Sequence, residues 1–282
     1  MIKLAAIDLD GTLLNSKNQI SEENVSAIKK AEERGIQVVI ATGRAHFDVQ
    51  KIFTGTGLNP WIIAANGATI HHPDGTLFHS VPIDREEADG IMAWLEENDF
   101  YYEVFSSHFI YTPQRGRELL QIEMDRISSS NPEVSIQELQ QAASKQYSQS
   151  GFSFIESFTD IPGEAEIYNI LAFSFDEEKR KTGWNEFKER EGLTIVTSAN
   201  HNFELEHEKA SKGLALTKLA KRLSIPLSET AAIGDSMNDE SMIRTAGKGY
   251  AMGNARIEIK DISDTIFGTN DEHGVAEMLN SL

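Results

Sequence analysis

Short apolar runs alternate with helical patterns at both ends of the chain. The first run, Leu4 to Leu9, is continuous and is followed by acid, which is typical of a buried parallel strand. Ser21 then predicts a helix N-cap, apolar residues recur at helical spacing up to Gly35, and a second strand follows from Ile36 to Ala41. This segment predicts a β-α-β unit, and therefore an α/β fold built on a parallel sheet.

The pattern of apolar and polar residues changes in the middle of the chain. From about Asp84 an amphipathic helix leads into alternating aromatic segments, and the β/α rhythm returns only near residue 200, with a strand from Thr230 to Ile233. The simplest architecture is a Rossmann-like parallel-sheet domain formed by residues 1–83 and 200–282, interrupted by an inserted α+β domain at residues 84–199. In open α/β sheets the site lies at the carboxyl ends of the strands.

Composition and charge limit the classes of partner. The 282 residues contain 26 Lys and Arg against 44 Asp and Glu, and the net charge of −18 repels nucleic acids and anionic membranes. Apolar runs are strand-sized and Met1 leads directly into a charged segment, so we expect a cytoplasmic protein that binds neither nucleic acid nor membrane. The sequence does not indicate an oligomeric state. A phosphorylated substrate would face the same repulsion and would need a metal ion, a placed lysine or helix N-termini.

Two carboxylates, Asp8 and Asp10, lie at the end of the first predicted strand, beside Gly11 and Thr12. One carboxylate of such a pair can attack phosphorus, while the other protonates the leaving oxygen and later activates water. A bare Asp-x-Asp is more often a pair of solvated loop acids or helix caps. Its position at the end of the first strand favours the catalytic interpretation.

Three further polar clusters lie at predicted element ends. Thr42, Gly43 and Arg44 follow the second strand and offer a hydroxyl, backbone amides and a guanidinium suited to an oxyanion. Lys212 opens a helix, where its ammonium can balance the charge of a transferring phosphoryl group. The run Gly234 to Asp239 supplies two carboxylates and an amide, which are oxygen ligands that suit Mg²⁺. Each cluster alone could be an ordinary turn, a surface lysine or an acidic loop, but together they predict one site.

In chain order, DLDGTL, TGR, SKG and GDSMND resemble the four signature motifs of the haloacid dehalogenase superfamily, and the insert resembles its Cof-type cap. The likeness spans nearly the whole chain. It implies a phosphatase in which Asp8 is the nucleophile and Asp10 the general acid and base. It also implies that Thr42 and Lys212 hold the phosphoryl group, and that Mg²⁺ is bound by Asp8, Asp235 and the backbone carbonyl of Asp10.

The same resemblance implies supporting contacts. Gly43, Arg44 and Asn66 are expected to join the substrate contacts, while Asn238 and Asp239 are expected to support the metal's waters and the lysine. One departure from the family pattern is the acidic, histidine-bearing run Glu206-His207-Glu208 that precedes the third motif.

Within the Cof-type group, the chain resembles bacterial phosphatases of the riboflavin pathway that act on 5-amino-6-(5-phospho-D-ribitylamino)uracil. This likeness implies hydrolysis of a small-molecule phosphate ester through a phospho-aspartate intermediate. Three alternatives share the motifs: a broad sugar-phosphate and flavin mononucleotide phosphatase, a phosphomutase or phosphotransferase, and a non-catalytic phosphometabolite-binding protein.

Overall fold

The computed structural model describes residues 1–130, 135–147, 149–197 and 199–282. The strands are β1 (Leu4–Ile7), β2 (Gln37–Ala41), β3 (Trp61–Ala64), β4 (Thr69–His71), β5 (Leu77–Ser80), β6 (Tyr101–Ser106), β7 (Ile110–Pro113), β8 (Phe152–Ile155), β9 (Ile167–Phe173), β10 (Leu193–Val196), β11 (Asn202–His207), β12 (Thr230–Gly234), β13 (Lys248–Ala251) and β14 (Thr265–Ile266). The α-helices are α1 (Glu22–Glu33), α2 (His46–Phe53), α3 (Arg85–Glu97), α4 (Gly116–Ser130), α5 (Ile136–Gln146), α6 (Glu177–Phe187), α7 (Lys212–Arg222), α8 (Glu240–Thr245), α9 (Ile257–Asp261) and α10 (Gly274–Ser281).

The chain divides into two compact units, one formed by residues 1–80 with 209–282 and the other by residues 81–208. In the first unit the described strands form a sheet in the order β14-β13-β12-β1-β2-β3-β4-β5. Strand β1 pairs in parallel with β12 on one side and with β2 on the other. A strand from the C-terminal part of the chain therefore lies directly beside the N-terminal strand.

Local sequence signals explain the elements around β1. All four residues of β1 are buried, as expected for a strand covered on both faces by helices. Ser21 caps α1, since its side chain accepts a hydrogen bond from the amide of Asn24 at 3.2 Å. The asparagine side chain in turn accepts from the amide of Ala276 in α10 at 3.0 Å, which ties the two ends of the chain together. The predicted β-α-β unit and N-cap are therefore confirmed.

The second unit has its own sheet and its own core. Its described strands follow the order β10-β11-β9-β6-β7-β8, and the pairs β6·β9 and β9·β11 are antiparallel. Val104 of β6, Ile170 of β9 and Leu205 of β11 belong to one apolar core. Residues of α3, including Ile91 and Leu95, belong to the same core. This mixture of a mainly antiparallel sheet, in which only the described pair β7·β8 is parallel, with helices has the α+β character that the sequence predicted.

The predicted boundary at residue 200 needs a correction. Strand β11 pairs with β9 and β10, so the second unit extends to residue 208 rather than 199. At the other end, the amide of Ile83 donates to the carbonyl of Ile167 at 2.8 Å, which places residues 81–83 in the second unit as well. The Glu206-His207-Glu208 departure thus concerns the end of this sheet and not the helix that follows. The side chain of Glu206 accepts a hydrogen bond from Asn169 at 3.0 Å.

Across the ranges that the structure describes, every helix is too short or too polar to span a bilayer.

Candidate active site

The predicted site residues follow four strands that lie side by side in one sheet. Strands β12, β1, β2 and β3 are adjacent and parallel, so their carboxyl ends share one edge. Asp235 directly follows β12, Asp8 follows β1, Thr42 follows β2, and a 3₁₀ turn at Ala65–Gly67 follows β3. Sheet topology therefore brings together groups that are distant in sequence: Asp8 and Asp235 are 227 residues apart.

Lys212, the first residue of α7, lies between two carboxylates. Its Nζ is 2.7 Å from Asp8 Oδ1 and 2.7 Å from Asp239 Oδ1, and its side chain is fully buried. A buried ammonium is stable only when it is paired and hydrogen-bonded. The helix start is fixed by Ser211, whose hydroxyl oxygen accepts from the amide of Leu214 at 3.1 Å.

Asp235 completes an acidic group with Asp8 and Asp239. One carboxylate oxygen of each residue lies within 4.8 Å of the others. The hydroxyl of Thr12 donates to Asp235 Oδ1 at 3.2 Å. Gly11 leaves room for this carboxylate, because it adopts a φ of +79° and a Cβ there would lie 2.6 Å from Asp235 Oδ2.

Burial and mutual repulsion set the electrostatics of the acidic group. Burial, followed by the charge of Asp239, raises the pKa of Asp8 well above its usual range, although Lys212 opposes this shift. The same two causes raise the pKa of Asp235 to about 6. Burial would lower the pKa of Lys212, but the charges of Asp239 and Asp8 outweigh it and raise that pKa. One cation among three carboxylates leaves excess negative charge, which a divalent cation would neutralise.

The donor set fits such a cation. Asp239 already uses both oxygens, since Oδ1 accepts from Lys212 and Oδ2 accepts from the amides of Asp235 and Ser236 at 2.9 and 3.0 Å. Asp8 and Asp235 are therefore the better placed carboxylates. Two carboxylates completed by other oxygen ligands are a typical environment for a hard divalent ion. The predicted participation of the Asp10 carbonyl stays a prediction.

Asn66 and Asn238 are joined across the site. Asn238 Nδ2 donates to Asn66 Oδ1 at 3.0 Å, and the amide of Asn66 donates to the carbonyl of Thr42 at 2.9 Å. Gly43 passes close to the same group, because a Cβ on it would lie 3.0 Å from Asn66 Oδ1. Thr42, Gly43, Asn66 and Asn238 thus form one connected set of polar groups, whose predicted substrate and metal-support roles remain predictions.

Arg44 has partners that the sequence analysis did not anticipate. Its Nε and one terminal nitrogen (NH2) donate to Asp10 Oδ2 and Oδ1 at 2.7 and 2.8 Å, and the other (NH1) donates to Asp48 Oδ2 at 2.6 Å. Hydrogen bonds and charge from Asp10, and then from Asp48, raise the pKa of Arg44 despite the opposing effect of burial. Asp48 was not among the predicted site residues. The sequence feature that could have identified it is its i,i+4 spacing from Arg44 at the start of a helix.

A family model for haloacid dehalogenase-like hydrolases matches residues 5–279. The chain belongs to this family. Phosphatase YwpJ of Bacillus subtilis is 57% identical to this haloacid dehalogenase-like hydrolase over 284 residues, which cover 100% of both chains. The 5-amino-6-(5-phospho-D-ribitylamino)uracil phosphatase YwtE of the same organism is 40% identical over 284 residues, covering 100% of this chain and 98% of that protein.

A solved structure points the same way. The haloacid dehalogenase-like hydrolase from B. subtilis aligns with a TM-score of 0.88 at 57% identity, covering 100% of both chains. These matches confirm the predicted superfamily, its α/β fold class and the prediction of an enzyme of the phosphatase class.

Proposed function

We propose that this haloacid dehalogenase-like hydrolase removes phosphate from a small metabolite through a phospho-aspartate intermediate on Asp8, with Mg²⁺ as its metal. The observation that carries the proposal is the contact of Asp8 with Lys212 inside a buried acidic group at the strand ends. A carboxylate beside a fixed ammonium can attack phosphorus while the ammonium balances the charge of the transferring group.

The residues divide the chemistry between them. Asp8 attacks the phosphorus, and Asp10 gives a proton to the oxygen of the departing alcohol. Lys212 and Thr42 hold the phosphoryl group in place. A water molecule then attacks the phospho-aspartate with help from Asp10, which releases inorganic phosphate and restores the Asp8 carboxylate. Bound Mg²⁺, held by Asp8, Asp235 and the Asp10 carbonyl, would stabilise the negative charge of the transferring phosphoryl group.

Replacement of the nucleophile tests the covalent route. We expect Asp8→Asn to lower kcat/KM for p-nitrophenyl phosphate with Mg²⁺ by at least about a thousandfold, because an amide cannot act as the nucleophile. Asp261→Asn, on an exposed carboxylate at the end of α9, is the matched control and should retain wild-type turnover. Retained activity in Asp8→Asn would exclude a phosphoryl intermediate on this residue.

The candidate substrate is 5-amino-6-(5-phospho-D-ribitylamino)uracil. A relative at 40% identity carries this substrate in its name, whereas the relative at 57% identity is named only as a phosphatase. Values of kcat/KM should be compared for this compound, flavin mononucleotide and a set of sugar phosphates. We expect the ribitylaminouracil phosphate to exceed the others by at least about tenfold, or about 1.4 kcal/mol in transition-state binding. Similar values across the set would instead favour a broad phosphatase.

The same assay separates hydrolysis from its alternatives. Hydrolysis releases one inorganic phosphate for each substrate consumed. A phosphomutase or phosphotransferase would consume substrate while releasing little phosphate, and a binding protein would consume none. We also propose that the second unit selects the substrate, as the resemblance of the insert to a Cof-type cap implies.

A further inference from the structure

Arg44 forms ion pairs with two carboxylates: Asp10, which is predicted to take part in the reaction, and Asp48, which is not. Its guanidinium holds both oxygens of Asp10 through Nε and one terminal nitrogen, at 2.7 and 2.8 Å, and Asp48 through the other terminal nitrogen at 2.6 Å. A two-point contact fixes the plane of a carboxylate as well as its position, which a single hydrogen bond does not.

The solvent exposure of the three paired side chains decreases from Asp10 through Arg44 to Asp48. The side chain of Asp10 is 35% exposed, that of Arg44 is 13% exposed and that of Asp48 is 5% exposed. The Asp48 carboxylate is therefore packed inside the protein, whereas the Asp10 carboxylate reaches solvent. A buried carboxylate is costly unless it is paired, so Asp48 depends on the guanidinium and holds it in turn.

The local backbone restrains Arg44 further. Its amide donates to the hydroxyl oxygen of Thr42 at 3.1 Å, and Asp48 lies four residues on, in the first turn of α2. Negative charge is favoured in the first turn of a helix, so this position suits a carboxylate independently of the ion pair. Arg44 is thus fixed at its backbone and at its guanidinium.

The contacts also favour the carboxylate form of Asp10. Both of its oxygens accept hydrogen bonds from N–H donors, and a carboxylate offers acceptors at both oxygens, whereas a carboxylic acid carries a proton on one of them. The carboxylate is the form that takes a proton from water. The form that protonates a leaving group is the acid.

We propose that Asp48 and Arg44 are positioning residues that hold the Asp10 carboxylate for the second chemical step, the hydrolysis of phospho-Asp8. This inference rests on the proposed function and replaces the predicted substrate contact of Arg44. In that step the water oxygen forms a bond to phosphorus, one water proton passes to Asp10, and the bond between phosphorus and the Asp8 oxygen breaks. Inorganic phosphate leaves, Asp8 is again a carboxylate, and Asp10 carries the proton that the next leaving group receives.

Stopped-flow kinetics with p-nitrophenyl phosphate and Mg²⁺ test the proposal. The nitrophenolate leaves without protonation, so formation of the phosphoenzyme does not require Asp10 as an acid. We expect Asp48→Asn to show a burst of p-nitrophenol equal to the enzyme concentration, followed by a steady state that is about 10- to 100-fold slower than wild type. The value of kcat/KM, which reports formation of the phosphoenzyme, should change by less than about threefold.

Two further variants make the result specific. Arg44→Lys keeps the positive charge but cannot hold both oxygens of Asp10, and it should reproduce the burst and the slow steady state. Asp89→Asn is the matched control, because Arg85 and Asp89 form an i,i+4 pair of the same residue types on the surface of the second unit. Its kinetics should equal those of the wild type.

Other outcomes would overturn the assignment. A fall in kcat/KM that equals the fall in kcat, without a burst, would show that Arg44 serves substrate binding or the first step. Unchanged kinetics in both variants would show that the pair has no role in the reaction. Thermal unfolding of each variant identifies a misfolded protein, and the conservative Arg44→Lys then decides. Failure of the proposed function is seen separately, as an absence of phosphate release by the wild type.

Discussion

The pKa of Glu103 is strongly shifted by its buried surroundings. It lies on β6 and is fully buried, and its Oε1 accepts a hydrogen bond from the hydroxyl of Tyr101 at 2.5 Å. Burial raises its pKa from 4.5 to about 7, and the charge of Glu204 acts in the same direction, while hydrogen bonds from Tyr101 and Gln146 oppose the shift. The residue therefore links the stability of the second unit to pH.

The pH dependence has a definite sign. Because the folded-state pKa of Glu103 exceeds its ordinary value, the folded chain binds more protons than the unfolded chain between about pH 4.5 and pH 7, and its free energy of unfolding falls as the pH rises through this window. We expect Glu103→Gln to remove up to about 3 kcal/mol of this fall. Urea unfolding at several values of pH would measure it. The exposed Glu118→Gln on α4 is the control, and parallel pH profiles for Glu103→Gln and wild type would contradict the prediction.

At the scale of elements, the site depends on a close approach of two backbones. The turn Ala65–Gly67 after β3 lies against the start of α7, where Ser211 precedes Lys212. Gly67 adopts a φ of +104°, and a Cβ there would lie 2.3 Å from the carbonyl oxygen of Ser211. Both the conformation and the contact therefore require glycine at this position.

Adding one methyl group at this junction should displace Lys212. We expect Gly67→Ala to lower the free energy of unfolding by at least about 2 kcal/mol and kcat/KM by at least about tenfold, because α7 must shift. Gly35→Ala is the control: its φ is +83°, but a Cβ there has no described atom within 4 Å. It should cost about 1 kcal/mol and leave kcat/KM unchanged. Equal effects of the two variants on activity would show that the contact with Ser211 is unimportant.

At the scale of the molecule, an acidic chain concentrates part of its charge in one buried site. The net charge of −18 is spread over 282 residues, but Asp8, Asp235 and Asp239 share one small region with a single lysine. This arrangement stores repulsion in the metal-free protein. Metal binding should therefore stabilise the first unit, because a ligand that binds only the folded state raises its stability.

Calorimetry with and without Mg²⁺ measures this coupling. At a Mg²⁺ concentration about 100 times its Kd, we expect about 2.7 kcal/mol of added stability in the wild type and a corresponding rise in Tm. Asp235→Asn should lose this response and, in EDTA, should unfold at a higher temperature than the wild type because burial and repulsion raise the pKa of Asp235. Sodium chloride at equal ionic strength controls for general screening. A full Mg²⁺ response in Asp235→Asn would place the metal elsewhere.

Much of the site was predictable because its signals are local. A buried strand appears as consecutive apolar residues, and the polar groups that follow it, such as Asp8, Thr42 and Asp235, are adjacent to it in sequence. Parallel strands place these ends on one edge of the sheet, so the sequence predicted a shared site before any contact was known. The cap at Ser21 was predictable for the same reason, since its partner is three residues away.

What the sequence determined by itself was the order of strands and helices and the chemistry at their ends, because both depend on neighbouring residues. Only the tertiary structure decided the membership of β11 in the second sheet, since its pairing with β9 joins segments about thirty residues apart. It also decided that Arg44 pairs with Asp10 and Asp48, because the direction of a long side chain depends on charges that folding brings near. The choice of partner strand and the direction of a long side chain are properties of the assembled chain, because both depend on contacts between residues that are distant in sequence.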